Sequence, residues 1–105
     1  MTTKELDNGN KEFSVHEIKI MLEPIFAADG VKRAVLFGSY AKGSAVADSD
    51  IDILVDSGLR GLDFVGLIEN MRETLQRNVD VLDVHYIDNG SRIEREIMAT
   101  GGSIW

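Results

Sequence analysis

The residues with the clearest chemical potential are Asp50 and Asp52, two aspartates at the start of an apolar segment. Strand side chains alternate between faces, so both carboxylates point to one side while Ile51, Ile53 and Val55 point to the other. Neighbouring carboxylates repel each other, and a divalent cation such as magnesium, which prefers carboxylate oxygens, relieves that repulsion. For the Asp-x-Asp pattern alone, the alternative is a pair of surface aspartates on an exposed strand.

A second feature, Gly38-Ser39, follows an apolar strand that ends at Phe37. Glycine permits a tight turn and the close approach of another molecule to the backbone. Ser39 is a favoured N-cap residue, and the free N–H groups at a helix start bind anions such as phosphate. Alone, the pair fits an ordinary strand–turn–helix connection. Combined with Asp50 and Asp52, it predicts a metal-dependent site for a nucleoside triphosphate, provided that the chain doubles back between the two features.

Such a shared site constrains the topology of the strands. Ser39 follows the first strand, whereas Asp50 opens the second, so the two strands must run antiparallel if both residues contact one triphosphate. The helix of about fifteen residues predicted between the second and third strands has the length of a parallel crossover. The start of the third strand therefore returns to the edge that carries Asp50 and Asp52, and the residue there is Asp80.

A third carboxylate is useful because shared carboxylates can bridge two metal ions about 4 Å apart. Asp80 is favoured over its rival Asp83, because an offset of three residues places Asp83 on the opposite face of a regular strand. Asp83 and His85 are then expected on a more exposed face. Lys42, the one cation in the segment from Val35 to Asp56, is a candidate phosphate contact, and a solvated loop lysine is the alternative.

Hydrophobic periodicity predicts the elements that position these residues. A capping box, Ser14 to Glu17, opens the first helix, and Pro24 is expected to kink or split it. The C-terminal Trp105 is expected to cover the core or to anchor an interface. The predicted elements are a flexible tail over 1–13 and a single domain over 14–105, with helices over 14–28, 39–43, 62–76 and 91–100, strands over 31–37, 50–56 and 79–86, and a loop over 44–49. The inward side chains of the third helix are predicted to be Phe64, Val65, Ile68, Met71 and Leu75.

Composition narrows the class of protein. The chain has 105 residues, which is enough for one modest core. The net charge is −7, which argues against broad nucleic-acid binding, because that function needs a basic surface. The charge suits a partner with a basic face. No apolar run has membrane-spanning length, and the absence of cysteine excludes disulfides and thiolate metal sites, so a cytoplasmic protein is expected.

The motif as a whole resembles a known family. Gly38-Ser39, ten intervening residues and Asp50-x-Asp52, within the segments LFGSYAKG and DSDIDILV, resemble the signature of the DNA-polymerase-β-like nucleotidyltransferase superfamily. The similarity is strongest to its minimal nucleotidyltransferases (MNT) and extends from about Ser14 to the C-terminus. It implies an α/β (α+β) fold, in which helices pack on a small mixed sheet of three to four strands.

The resemblance also implies a function, namely transfer of AMP from ATP to a hydroxyl acceptor with two magnesium ions. Asp50, Asp52 and Asp80 would bind the metals, Asp80 would help to deprotonate the acceptor, and Gly38 and Ser39 would hold the β- and γ-phosphates. Members of this family typically act as antitoxins that attach AMP to a tyrosine of a HEPN-domain toxin. The alternatives are a binding module that masks such a partner without catalysis and, more remotely, a small-molecule (antibiotic) nucleotidyltransferase.

Overall fold

A computed structural model describes residues 13–43, 45 and 49–105 of the chain. A four-stranded sheet and the helices packed on it make up this part of the protein. The elements in chain order are α1 Val15–Ala28, β1 Arg33–Phe37, α2 Gly38–Lys42, β2 Ile51–Asp56, α3 Gly61–Leu75, β3 Val79–Asp83, a 3-10 turn Val84–Tyr86, α4 Arg92–Thr100 and β4 Gly102–Ser103. Most of the predicted loop over 44–49 and nearly all of the predicted tail lie outside the described residues.

The strand order is β3-β2-β1-β4. β1 and β2 are antiparallel, whereas β2 and β3, joined through α3, are parallel, so the predicted topology is confirmed. In this register Phe37 lies opposite Asp52, and Asp52 lies beside Asp80. The short β4 pairs antiparallel with β1 and completes the sheet. The mixed sheet therefore brings the end of β1 and the starts of β2 and β3 to one edge.

The capping box at the start of α1 forms as the sequence predicts. Ser14 Oγ accepts a hydrogen bond from the Glu17 N–H at 3.0 Å, and Glu17 Oε1 accepts one from the Ser14 N–H at 2.9 Å. Of the two outcomes expected at Pro24, a kink or a split, the split does not occur, because one continuous helix runs through this residue. Pro24 and Ile20 are both exposed, so water can satisfy the Ile20 carbonyl that lacks its helical donor.

The hydrophobic core lies between the sheet and the pair of helices α1 and α3. On β2, Ile51, Ile53 and Val55 are fully buried, and they lie on the face opposite to that of Asp52. Val65 on α3 is 49% exposed, so its predicted inward orientation is wrong, and Leu67 lies in the core instead. Helical contributions to the core come from Ile18, Leu22 and Phe26 of α1 and from Leu67, Met71 and Leu75 of α3.

Phe13 and Trp105 extend this core at the two ends of the described chain. Phe13 is 8% exposed, so it belongs to the packed domain and not to the tail predicted over 1–13. The Trp105 indole donates a hydrogen bond from Nε1 to the Val31 carbonyl at 2.7 Å, and its ring lies 6.0 Å from that of Phe26. Trp105 therefore covers the core, one of the two roles predicted for it.

β3 ends earlier than predicted, at Asp83, where the chain enters the 3-10 turn. Asp83 was expected on an exposed face, but it is 2% exposed. Its Oδ2 accepts hydrogen bonds from Ser57 Oγ at 2.6 Å and from the Ser57 N–H at 3.2 Å. Its Oδ1 accepts one from the His85 N–H at 3.1 Å and lies 2.8 Å from His85 Nδ1. These donors are what permit a carboxylate to be buried.

Replacement of Asp83 by asparagine should destabilise the protein by about 2 kcal/mol at neutral pH. Burial opposes ionisation of Asp83, but the hydrogen bonds from Ser57 and His85 outweigh it and lower the pKa to about 2. A lowered pKa stabilises the fold above the unfolded value of 3.8, and this contribution is lost as the pH falls from there through about 2. The melting temperatures of wild type and variant should therefore converge in acid; a constant difference from pH 7 to pH 2.5 would contradict the assignment.

Within the described residues, none of the helices has both the length and the apolar character that crossing a lipid bilayer requires.

Candidate functional site

The connection between β1 and α2 is a sharp corner built on Gly38. Phe37 is still extended, with φ −139° and ψ −172°, and Gly38 then adopts φ +75°, in the region that favours glycine. The N-cap of α2 is Phe37, so the prediction that Ser39 caps the helix is wrong. Ser39 lies half-buried in the first turn instead. The turn begins one residue earlier than expected because glycine can make it.

The missing side chain of Gly38 leaves space for Asp52. A Cβ atom on Gly38 would collide with Oδ2 of Asp52 and would lie 3.1 Å from its Cγ. This contact follows from the register, since Phe37 is paired with Asp52. The space that this glycine leaves is therefore occupied by a carboxylate of the same chain, and the predicted approach of another molecule stays a prediction.

Three aspartates meet at this edge of the sheet. Asp52 is half-buried in β2, Asp80 is exposed beside it in β3, and Asp50 is exposed immediately before β2. Partial burial, the negative charges of Asp80 and Asp50 and a hydrogen bond with Asp80 together raise the pKa of Asp52 to about 6. The topology thus brings together Asp50, Asp52 and Asp80, the three acids predicted from the sequence as site residues. Asp83, the alternative to Asp80, lies away from these three acids and accepts a hydrogen bond from Ser57.

Lys42 and Glu96 form an ion pair that links α2 to α4. Lys42 Nζ lies 3.7 Å from Glu96 Oε2, and the charge of Glu96 also contributes to the raised pKa of Asp52. The structure thus places Lys42 near the acids, with a carboxylate as its present partner. Glu96 was missed by sequence reasoning, because nothing in the spacing of α4 relates it to Asp52. Only the packing of α4 against α2 makes the two neighbours.

The acids suit a hard divalent cation in type and in placement. Asp52 and Asp80 are close enough for a hydrogen bond between them, and their mutual repulsion is what a cation between them would relieve. In the described part of the chain, however, no group of three or more histidine, cysteine, aspartate or glutamate side chains is gathered tightly enough to hold a metal as it stands. The donor set fits magnesium, and Asp50 would have to turn toward the pair to complete it.

Two hollows adjoin the acids, and Arg72 contributes to the lining of both. The first, of about 410 Å³, has Asp52, Asp80 and Arg72 in its lining, together with apolar side chains that include Phe37 and Ile93. The second, of about 490 Å³, is lined by Ser49, Asp50, Arg72, Glu73, Gln76, Arg77 and Asn78. Arg72, in the last turn of α3, contributes to both. A phosphate-bearing ligand at the acids would therefore have a guanidinium beside it.

Comparison with known proteins is consistent with this geometry. The model of the family described as "Polymerase beta, Nucleotidyltransferase" matches residues 21–105. A candidate protein adenylyltransferase of Methanocaldococcus jannaschii is 45% identical over 76 residues, which cover 70% of this chain and 82% of the relative. The residues matched by the family model include the corner at Gly38 and the three aspartates.

Solved structures share the fold. A candidate minimal nucleotidyltransferase is 25% identical, with a TM-score of 0.69 over 88% of this chain and 97% of that one. A second match, at 19% identity and a TM-score of 0.66, covers 87% of this chain and 71% of the other. That structure is of a tri-AMPylated HEPN toxin of Shewanella oneidensis in complex with its MNT antitoxin.

Proposed function

The chain belongs to the polymerase β nucleotidyltransferase family, and from this premise we propose that it transfers AMP from ATP to a hydroxyl group of a partner protein. The observation that carries the proposal is the convergence of Asp50, Asp52 and Asp80 at the edge that also carries Gly38. A nucleotidyl transfer site needs carboxylates for metal ions and a backbone corner for phosphates, and few other groups, since positioning and charge neutralisation supply most of the catalysis.

We assign each residue of the site the role that the resemblance to the family implies for it. Asp50, Asp52 and Asp80 would hold magnesium, which when bound supplies the positive charge that a triphosphate requires. Gly38 and Ser39 would orient the β- and γ-phosphates. Asp80, at the outer side of the acids, would accept the proton of the acceptor hydroxyl. The hydroxyl oxygen then bonds to the α-phosphorus, and the bond from that phosphorus to the β-phosphate oxygen breaks, releasing pyrophosphate.

The proposed acceptor is a tyrosine of a HEPN-domain toxin, for which this chain would be the antitoxin. Two comparisons support this assignment: one relative bears the name of a protein adenylyltransferase, and one structural neighbour is an antitoxin in complex with an AMPylated HEPN toxin. The net charge of −7 also favours a partner with a basic face. In a complex of this kind, a second protein would complete a site that 105 residues only partly enclose.

The test is incubation of the full chain with a HEPN-domain partner, ATP and magnesium, followed by intact mass analysis of the partner. We expect a mass increase equal to one or more AMP groups, dependent on magnesium and located on a tyrosine. The alternative, inhibition by masking alone, draws support from exposed apolar side chains near α4, where Met98 is 80% and Tyr86 73% exposed. A stable complex without any AMP adduct would favour that alternative and overturn the proposed transfer.

A further inference from the structure

Arg77 carries a positive charge that the described structure does not balance. All three nitrogens of its guanidinium are buried, and none has a hydrogen-bond partner among the described residues. The group lies 5.4 Å from the centre of the Phe13 ring, a contact that offsets only part of the loss of hydration. A buried cation without a partner is costly, and an anion is what would satisfy it.

Arg72 presents a second guanidinium to the same place. Its two hydrogen bonds, to the Val79 carbonyl and to Glu69, are both 3.4 Å long and hence weak. Its side chain is 46% exposed. Arg72 is therefore available to a ligand, and its position between the two hollows puts it next to Asp50 on one side and next to Asp52 and Asp80 on the other.

Among the described residues, the acids in the lining form no ion pair with these two arginines. Asp50 and Glu73 both contribute to the second hollow, but in the described part of the chain the ionic partner of Arg72 is Glu69, and Arg77 has none. The Gln76 side-chain amide donates a hydrogen bond to the Glu73 backbone carbonyl at 2.7 Å.

We propose that the hollow lined by Ser49, Asp50, Arg72, Glu73, Gln76, Arg77 and Asn78, here called the arginine hollow, binds a phosphate group. Rotation about the terminal bonds of Arg77 would turn its guanidinium from Phe13 toward this space. The identification of the phosphate rests on the proposed function. It has two sources: the incoming ATP, or the phosphodiester of an acceptor that already carries AMP.

The second source is favoured by the order of groups along the edge of the sheet. Gly38 and Ser39 lie at the end of β1, on one side of Asp52, whereas Arg72 and Arg77 lie near the start of β3, on the other side. If the β- and γ-phosphates occupy the corner at Gly38, the arginine hollow lies on the acceptor side. There it would hold an AMP already attached and so promote further additions.

Binding is tested first, without catalysis, by the melting temperature of the full chain with AMP and, as the uncharged control, adenosine. AMP should raise the melting temperature by several degrees and adenosine should not. The variants Arg77→Met and Arg72→Met should lose this increase, while Arg33→Met, an exposed arginine at the far end of β1, should retain it. Without AMP, Arg77→Met should melt no lower than wild type. An AMP effect that persists in both variants, or a large loss of stability in AMP-free Arg77→Met, would overturn the proposal.

Product analysis then separates the two sources of phosphate. If the hollow serves the acceptor, the arginine variants should slow the addition of later AMP groups at least tenfold more than they slow the addition of the first, with the KM for ATP unchanged. If it serves ATP, the first transfer should slow and the KM for ATP rise at least tenfold. An unchanged product series with an unchanged KM would refute the phosphate site. A wild type that binds AMP through the arginines but transfers none would refute the proposed function alone.

Discussion

Replacement of Asp52 by asparagine is expected to abolish AMP transfer and at the same time to stabilise the metal-free protein. The loss of activity should be on the order of 10³-fold or more, because the amide removes a charge that the metal ions need. The gain in stability has the same origin. Asp52 is held against Asp80 and near Asp50, and without a cation this arrangement is repulsive.

The size and sign of the stability change follow from the pKa of Asp52. Partial burial and the neighbouring carboxylates raise it from 3.8 to about 6. An acid whose pKa is raised in the folded state leaves the fold unaffected below pH 4 and destabilises it progressively as the pH rises through 6. At pH 8 the ionised Asp52 should therefore lower the free energy of unfolding of the wild type by on the order of 2 kcal/mol, after allowance for solvent screening. The asparagine variant avoids this cost.

Calorimetry or dye-based melting in EDTA measures the effect. At pH 8 the variant should melt about 5 °C or more above the wild type, and the difference should vanish near pH 4. Asp56→Asn is the matched control, because Asp56 lies on the same face of β2 at the opposite end, beside Arg33. It should alter neither activity nor this pH dependence. An active Asp52→Asn enzyme, or one less stable than wild type at pH 8, would contradict the assignment of Asp52 as a metal ligand.

The prediction of this site from sequence depended on local patterns that agree with the topology. Asp-x-Asp on a strand fixes the face of Asp52, and the length of the segment between β2 and β3 permits only a crossover that returns Asp80 to the same edge. These inferences need no side-chain detail. The same is true of the capping box at Ser14, where both partners are close in the chain.

What sequence reasoning missed depends on contacts between distant segments. The sequence pattern predicts Asp83 as a strand residue on an outward face. In the structure, the loop after β2 places Ser57 against Asp83, and the aspartate is buried. Glu96 joins the acids only through the packing of α4 on α2. The guanidinium of Arg77, which has no hydrogen-bond partner among the described residues, has no signature in the sequence, because an arginine near a helix end is ordinarily solvated. In each case the outcome depends on which groups the packing of distant segments shields from water.

Substitution of Gly38 by alanine tests the geometry of the corner itself. Alanine at φ +75° is strained by about 1 kcal/mol, and its Cβ would also displace the Asp52 carboxylate. We expect a total loss of about 2–3 kcal/mol in stability. Because Asp52 would be pushed from its place beside Asp80, AMP transfer should fall by about 100-fold.

Gly43 supplies the control for this experiment, since it has nearly the same backbone conformation without the neighbour. Its φ is +76°, and an added Cβ would meet no atom of the described residues within 4 Å. Gly43→Ala should therefore show the strain alone, about 1 kcal/mol, with transfer activity close to that of wild type. The difference between the two variants isolates the collision with Asp52. Equal stability and equal activity of both variants would mean that the Asp52 carboxylate does not need the space that Gly38 leaves, and the proposed metal site would lose its geometric support.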